Sequence, residues 1–248
     1  MQRVLAISNR KGGVGKTTSA INIAAGLARL GHRVVLIDLD PQVNASRGLG
    51  VTGVDVTLHG ALLGEHPLKA HATQMPNLVV VAGSEALSGL EQLTSGVPNR
   101  EYLLRTLLTP WRERCAFVVL DCPPSLDLLT VNAYACATEL YIPLEGQLYA
   151  ADGVSKVLDL VARIRQRLNP QLQVKGMFFT RFDKRKILRR ETAEELRSQY
   201  PDLVLTTVIR ESILLGEAPH LGQDIFSYAP ESAGAVDYAA LVQEILVR

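Results

Sequence analysis

The residues best suited to chemistry form a glycine-rich segment near the N-terminus. Residues 11–18 read Lys-Gly-Gly-Val-Gly-Lys-Thr-Thr. An apolar run at 4–8 precedes them and a helical pattern at 19–30 follows, so the segment is predicted to be a strand-to-helix turn. Glycines let successive backbone N–H groups converge on phosphate oxygens, and the helix N-terminus adds partial positive charge. The segment therefore predicts a phosphate-binding loop.

The side chains of this loop fit a magnesium nucleotide. Lys16 is predicted to contact the β- and γ-phosphates, and the Thr17 hydroxyl is predicted to complete the Mg²⁺ shell. Thr18 is expected at the α-phosphate. The residues predicted to hold the nucleotide through the loop are Lys11, Gly12, Gly13, Val14, Gly15, Lys16, Thr17 and Thr18.

Three carboxylates follow apolar strand patterns. Asp38 and Asp40 come after the second predicted strand, and a spacing of two places both on one face. Asp121 ends the run 118–120 and precedes Cys-Pro-Pro-Ser, the form of a Walker B motif, so we expect it to hold a magnesium-bound water. Asp38 is predicted in the outer magnesium shell. The alternative for each is a turn or helix cap without chemistry.

Composition places the chain among globular proteins. It has 248 residues, 47% apolar and 21% charged, which suffices for one large core. Three cysteines without C-x-x-C spacing argue against a disulfide framework, a zinc knuckle or an iron–sulfur cluster. The sequence shows neither an 18-residue apolar run nor a secretory leader, so we predict a cytoplasmic protein. We expect one domain over residues 1–248, without an N-terminal helix-turn-helix domain.

Short apolar runs alternate with longer helical patterns along the chain. This alternation predicts the α/β class, a doubly wound and mainly parallel sheet flanked by helices on both faces. The first strand should be central, with ligands at the carboxyl ends of the strands. Strands are predicted at 4–8, 33–37, 77–81, 117–120, 139–143, 174–180 and 203–208, and helices at 17–30, 100–112, 126–135, 153–168, 186–199 and 233–246. The glycine-rich stretch 48–64 is predicted to be a mobile loop.

The segment 181–190 carries six cations and one anion. It begins at a predicted strand end and runs onto a helix, where Lys186, Arg189 and Arg190 share one face. Such a face suits the phosphates of duplex DNA, which need no base reading. The residues predicted to bind DNA are Lys184, Arg185, Lys186, Arg189 and Arg190, while Arg181 is also a candidate nucleotide contact near the adenine. The alternative is a solvated helix face balanced by neighbouring glutamates.

The loop departs from the usual phosphate-loop pattern, because Arg10 occupies the position of the first glycine. The remaining pattern, with its extra lysine, resembles the deviant Walker A box of the ParA, MinD and nitrogenase-iron-protein superfamily. The resemblance implies that Lys11 reaches the nucleotide of the partner subunit. It also implies that Asp40 orients or deprotonates the attacking water. The catalytic residues implied are Lys11, Lys16 and Asp40.

The stretches 129–133 and 215–219 extend the resemblance along nearly the whole chain, to short, chromosomal ParA proteins of the Soj type. The family implies an ATPase with ATP and Mg²⁺ as cofactors and an ATP-dependent homodimer. The dimer is expected to bind double-stranded DNA non-specifically, and a ParB-type centromere-binding protein is expected to stimulate an otherwise weak hydrolysis. The implied role is chromosome or plasmid segregation, in a cytoplasmic, nucleoid-associated protein that does not bind membranes.

Three positions depart from the family pattern. Residues 209–212 read Ile-Arg-Glu-Ser where the family has Ile-Pro-Arg-Asn near the adenine; Arg210 is the candidate contact there. Arg10 replaces a common glutamine, and Glu145-Gly146-Gln147 replaces Gln-x-Glu. The resemblance also suggests that Asn132 touches the dimer interface or the nucleotide.

Other activities of the superfamily are the main alternatives. A MinD-like membrane-associated positioning ATPase would end in a basic amphipathic helix, whereas Arg248 is the one basic residue of 236–248. A metal- or cluster-handling ATPase would need shared cysteines, and Cys122 and Cys136 lack the glycine-flanked arrangement. A nucleotide-dependent scaffold without hydrolysis is disfavoured by Asp40.

Overall fold

The fold is organised around one sheet. In the computed structural model, which describes residues 2–146 and 150–248, eight strands join in the order β3-β4-β2-β5-β1-β6-β7-β8. All neighbours are parallel except β3 and β4. The strands are β1 Arg3–Ile7, β2 Val34–Asp38, β3 His71–Ala72, β4 Leu78–Val81, β5 Phe117–Asp121, β6 Glu139–Glu145, β7 Gln173–Phe182 and β8 Val204–Arg210.

The seven predicted strands are confirmed, and β1 lies centrally between β5 and β6. The strand that was not predicted, β3, has two residues, too few to show a period-2 pattern. Parallel pairing brings the carboxyl ends of β1, β2, β5 and β6 to one edge of the sheet. Ligands of open α/β sheets bind at this edge.

Eleven α-helices lie in the described part of the chain. They are α1 Lys16–Arg29, α2 Asn44–Gly48, α3 Leu58–Leu62, α4 Leu90–Leu93, α5 Leu103–Leu108, α6 Leu128–Cys136, α7 Ala150–Arg167, α8 Ile187–Gln199, α9 Leu214–Glu217, α10 Ile225–Tyr228 and α11 Ala233–Val247. The loop predicted at 48–64 is wrong for residues 58–62, because α3 buries Leu58 and Leu62 against the core. The predicted helix 100–112 is broken into α5 between two 3₁₀ turns, and Pro110 lies in the second.

Alternating strand residues feed two separate cores. Val4 and Ala6 of β1 belong to the core covered by α6, α7 and α8. Leu5 and Ile7 belong to the opposite core, which α1 and α11 cover. Helices therefore pack on both faces, which confirms the predicted doubly wound α/β class. Among the described residues, no helix has both the length and the apolar character needed to cross a bilayer.

Candidate functional site

The phosphate loop joins the carboxyl end of β1 to the N-terminus of α1. Gly13 and Gly15 have φ of 76° and 77°, in the left-handed region that glycine adopts without steric cost. Gly15 is the N-cap of α1, and no side chain caps this end of the helix. The first N–H groups of a 14-residue helix are thus directed at the loop, which is the arrangement that binds phosphate.

Side chains from neighbouring strands hold the loop in place. The Asn9 side-chain amide donates to the Pro143 carbonyl oxygen at 2.8 Å, and its Oδ1 accepts from the Lys11 backbone N–H at 3.0 Å. On the other side, the Thr180 hydroxyl of β7 lies 2.9 Å from the Val14 carbonyl oxygen and 3.1 Å from that of Leu144, and it shares its one proton between them. The loop conformation is therefore fixed by the ends of β6 and β7.

Lys16 is buried at the start of α1, with 6% of its surface exposed. Its Nζ donates to the Lys11 carbonyl oxygen at 3.0 Å. Burial lowers the pKa of Lys16, although the carboxylates of Asp121 and Asp40 oppose that change. A desolvated ammonium group on this loop is positioned to interact strongly with an incoming phosphate.

Asp38 ends β2 and is fully buried. Its Oδ2 accepts from the Ser46 backbone N–H at 2.8 Å and from the Ser46 hydroxyl at 2.7 Å, and its Oδ1 accepts from the Asp40 N–H at 3.3 Å. Burial raises the pKa of Asp38 to about 6. The carboxylate thus ties α2 to the sheet, and this favours a positioning role over the predicted place in the outer magnesium shell.

Asp121 ends β5 and is also fully buried. Neither of its oxygens accepts a hydrogen bond from a residue that the structure describes. Burial and the charge of Asp38 raise the pKa of Asp121 well above the usual range, and the Thr17 hydroxyl partly opposes that rise. A buried carboxylate with two unused oxygens beside a hydroxyl fits Mg²⁺, a cation that prefers oxygen ligands. Thr17 and Asp121 would hold that ion, which would neutralise phosphate charge.

Asp40 lies two residues beyond β2 and is 7% exposed. Its Oδ1 accepts from the Gln42 N–H at 2.9 Å, and the Val43 N–H bonds to its carbonyl oxygen at 2.9 Å. Val43 has φ of 58°, an unfavourable backbone conformation for a β-branched residue. The turn that carries Asp40 therefore stores strain next to the phosphate loop.

A cavity of about 530 Å³ opens beside the phosphate loop. Its wall includes Gly15, Thr18 and Arg181, together with residues that follow β8. Arg210 lines it, but its guanidinium pairs with Asp237 of α11 at 2.7 Å. The two predicted nucleotide contacts, Arg181 and Arg210, thus lie on one wall, with the guanidinium of Arg210 already paired.

The basic segment differs from its predicted arrangement at Arg189. Lys184, Arg185, Lys186 and Arg190 are exposed, as expected of a surface that binds phosphate. Arg189 instead points inward: its side chain is 11% exposed and its Nη2 lies 3.2 Å from a Glu145 oxygen. The prediction that Arg189 shares the exposed basic face is therefore wrong, because its guanidinium is used to join α8 to β6.

Asn132 is likewise not available to a partner or a nucleotide. It is fully buried, accepts from the Leu104 N–H at 3.0 Å, and donates to the carbonyl oxygens of Arg100 and Leu128. The suggested interface contact is therefore wrong, since the amide secures the start of α5. Gln147, another departure from the family pattern, lies outside the described residues.

Several residues that shape the site were not predicted. Thr180 and Ser46 act through hydrogen bonds to partners that are distant along the chain, and the sequence carries no signal for these pairings. Glu211 could have been suspected, because it follows a predicted strand and so lies at the ligand-binding edge.

Comparisons with known proteins agree with this geometry. The family model described as "AAA domain" matches residues 2–174. The chain is 40% identical to the chromosome partitioning protein ParA of Caulobacter vibrioides (strain NA1000 / CB15N), covering 99% of this chain and 94% of that protein. It is 38% identical to the chromosome-partitioning ATPase Soj of Treponema pallidum, covering 100% and 98%.

A solved structure shares the whole fold. Cobyrinic acid a,c-diamide synthase from Mycobacterium smegmatis, with bound ATP analog and magnesium, superimposes with a TM-score of 0.88 at 30% identity, covering 99% of this chain and 95% of that one. The deviant phosphate loop and the full-length similarity lead to one assignment. The chain belongs to the AAA-domain family and, within it, to the ParA and Soj partitioning ATPases.

Proposed function

We propose that this protein is a Mg-ATP-dependent molecular switch that dimerises on ATP, binds DNA non-specifically and uses hydrolysis to drive chromosome or plasmid segregation. One observation carries the proposal: buried Lys16 lies at an uncapped helix N-terminus near Asp121, a buried carboxylate without a hydrogen-bond partner among the described residues. Cation, helix end and unused carboxylate together match a magnesium-bound triphosphate.

The loop from Lys11 to Thr18 would bind the phosphates of ATP. Lys16 exchanges its bond to the Lys11 carbonyl oxygen for phosphate oxygens. Thr17 and Asp121 hold Mg²⁺, and Thr18 lies at the α-phosphate. The base enters the neighbouring cavity, where Arg181 and the residues after β8 line the wall.

Hydrolysis depends on Asp40. Asp40 follows the end of β2 by two residues, and its carboxylate contributes to the electrostatic potential at Lys16. Asp40 would orient or deprotonate the attacking water, and Lys11 would reach the phosphates of the partner's ATP. Turnover stays weak until the partner subunit, DNA and a ParB-type centromere-binding protein complete the site.

DNA binding would use the exposed cations Lys184, Arg185, Lys186 and Arg190. Duplex phosphates attract such a group without base reading, and the affinity should fall steeply with salt. The relatives are named chromosome partitioning proteins, which supports a DNA cargo. A cytoplasmic, nucleoid-associated location is part of the same proposal.

The test is the size of the Asp40→Ala protein in ATP or ADP, with and without arbitrary duplex DNA. We expect a stable dimer in Mg-ATP, a monomer in ADP, and DNA retention by the dimer. Asp55→Ala, which removes an exposed aspartate, is the matched control and should hydrolyse ATP as the wild type does. A monomer in saturating Mg-ATP would disprove the switch. ATP-dependent binding to lipid vesicles but not to DNA would favour a membrane-positioning ATPase.

A further inference from the structure

Glu211 follows β8 directly and lines the cavity beside the phosphate loop. Its neighbour Arg210 is turned to α11, where its backbone N–H and guanidinium both bond to Asp237. At the end of β8, the charged group on the cavity wall is therefore the Glu211 carboxylate and not the Arg210 guanidinium that the sequence suggests.

Three cations lie close to the Glu211 carboxylate. Its Oε2 accepts from Lys186 Nζ at 3.3 Å and lies 3.5 Å from Arg189 Nη1. Its Oε1 lies 3.9 Å from Arg181 Nη2, which is beyond hydrogen-bond range. The side chain is thus oriented by α8, while Oε1 retains capacity to accept a hydrogen bond.

We propose that Glu211 is the residue that selects the nucleobase, by accepting a hydrogen bond from an amino group at position 6 of a purine. This inference rests on the proposed ATP binding and deepens it. An ionised carboxylate only accepts hydrogen bonds, so it favours the 6-amino group of adenine and repels the 6-oxo group of guanine or hypoxanthine.

Guanine also offers donors, on its N1 and 2-amino groups. A carboxylate recognises that edge best with both oxygens, and here Oε2 already accepts from Lys186 and lies 3.5 Å from the Arg189 guanidinium. One open oxygen suits one amino group. The arrangement therefore favours adenine over guanine.

Other polar groups near the cavity discriminate less. The Ser212 hydroxyl can donate or accept, so it fits either a 6-amino or a 6-oxo group. The Glu217 carboxylate accepts from the Tyr228 hydroxyl at 2.9 Å through one oxygen, but it belongs to α9 and not to the end of β8. We therefore assign the selection between purines to Glu211, and Glu217→Gln should keep the wild-type ratios.

The test is calorimetric binding of three Mg-nucleotides that differ at position 6: ATP with an amino group, purine riboside triphosphate with hydrogen, and inosine triphosphate with an oxo group. For the wild type we expect ATP to bind about tenfold more tightly than the purine compound, and inosine triphosphate to bind more weakly still. Glu211→Gln should reduce the ATP-to-inosine ratio about tenfold, because its amide can also donate.

The ratios compare affinities for the three nucleotides within one variant. They are therefore unaffected by any general change in phosphate binding that Glu211→Gln causes by removing the anion next to Lys186 and Arg189. Glu191→Gln removes the same charge from an exposed position of α8 and should keep the wild-type ratios. Equal wild-type affinities for the three nucleotides would overturn the proposal, and this result does not require a folded Glu211 variant. Unchanged affinity ratios in Glu211→Gln would also overturn it. Failure of the wild type to bind any of them would instead refute the proposed ATP binding.

Discussion

Asp38 and Asp121 are register partners on adjacent strands β2 and β5, yet their surroundings are opposite. Both are fully buried at the same edge of the sheet. Asp38 accepts three hydrogen bonds, from Ser46 and the Asp40 N–H, whereas Asp121 accepts none from the described residues. One carboxylate therefore has a structural role, whereas the other retains the acceptor capacity that the proposed Mg²⁺ would use.

Asp121→Asn should stabilise the nucleotide-free protein while weakening Mg-dependent nucleotide binding. Because burial raises the pKa of Asp121, the ionised form costs folding free energy that a neutral amide does not. We expect a gain of about 1–3 kcal/mol in the free energy of unfolding near neutral pH. Denaturant titration in the absence of nucleotide, followed by ATP binding with and without Mg²⁺, measures both effects.

The pH dependence of that gain has a definite sign. A pKa raised by folding means that stability is greatest below the unfolded pKa and is lost as pH rises toward the folded value. The gain from Asp121→Asn should therefore be small near about pH 4 and grow toward neutrality. A gain that is constant with pH would argue that the carboxylate is not the source of the effect.

Asp38→Asn is the matched control and should lower stability. Both oxygens of Asp38 accept backbone N–H groups, from Ser46 and Asp40, so either amide orientation sets an NH₂ group against a donor. These mismatched donors should outweigh the gain from removing a buried charge, so a net loss of about 1 kcal/mol is expected. If both variants shift stability in the same direction, the distinction between the two carboxylates is wrong.

Val43→Gly should stabilise the protein. Val43 has φ of 58°, a backbone region that costs an L-residue about 1–2 kcal/mol, and glycine removes most of that cost. After the entropy cost of glycine, a gain of about 1 kcal/mol in unfolding free energy is expected. Val236→Gly, in the regular helix α11, should instead destabilise by about 0.5 kcal/mol, the difference in helix propensity between the two residues. Equal losses in both variants would show that the turn at Val43 is unstrained.

Much of the fold follows from local patterns, whereas the side-chain pairings do not. Strands such as β5 are buried throughout and apolar up to the final Asp121, and that apolar run alone predicts the strand. The helix α3 has five residues, too few for a 3.6-residue period to register, so a stretch containing glycines was read as loop.

At the site, the sequence located the glycine-rich loop and the strand-end carboxylates because parallel strands bring their ends together. It could not show which of the adjacent residues Arg189 and Arg190 points inward. The partner that decides the matter, Glu145, lies 44 positions earlier in the chain. The pairing of Arg210 with Asp237 was hidden for the same reason.

Arg189→Ala should destabilise the fold far more than Arg190→Ala. Arg189 and Glu145 form a pair whose side chains are 11% and 8% exposed, so removing the guanidinium leaves a largely buried carboxylate without its partner. Breaking such a pair costs about 3 kcal/mol or more, whereas an exposed residue such as Arg190 contributes within about 0.5 kcal/mol. Equilibrium unfolding of both variants provides the comparison, and equal stabilities would mean that the inward pair contributes little.

The two lysines of the loop should separate nucleotide binding from dimer formation. Lys16 is buried with its Nζ on the loop, so Lys16→Ala removes the cation that meets the phosphates within one subunit, and nucleotide affinity should fall by at least about 100-fold. Lys11 is exposed, and Lys11→Ala should retain ATP binding while losing the ATP-dependent dimer. Arg10→Ala, at the adjacent exposed position, is the control and should retain both. Calorimetry gives the nucleotide affinities, and analytical ultracentrifugation gives the masses. A Lys11→Ala protein that still dimerises in Mg-ATP would contradict the prediction that Lys11 contacts the phosphates bound to the neighbouring subunit.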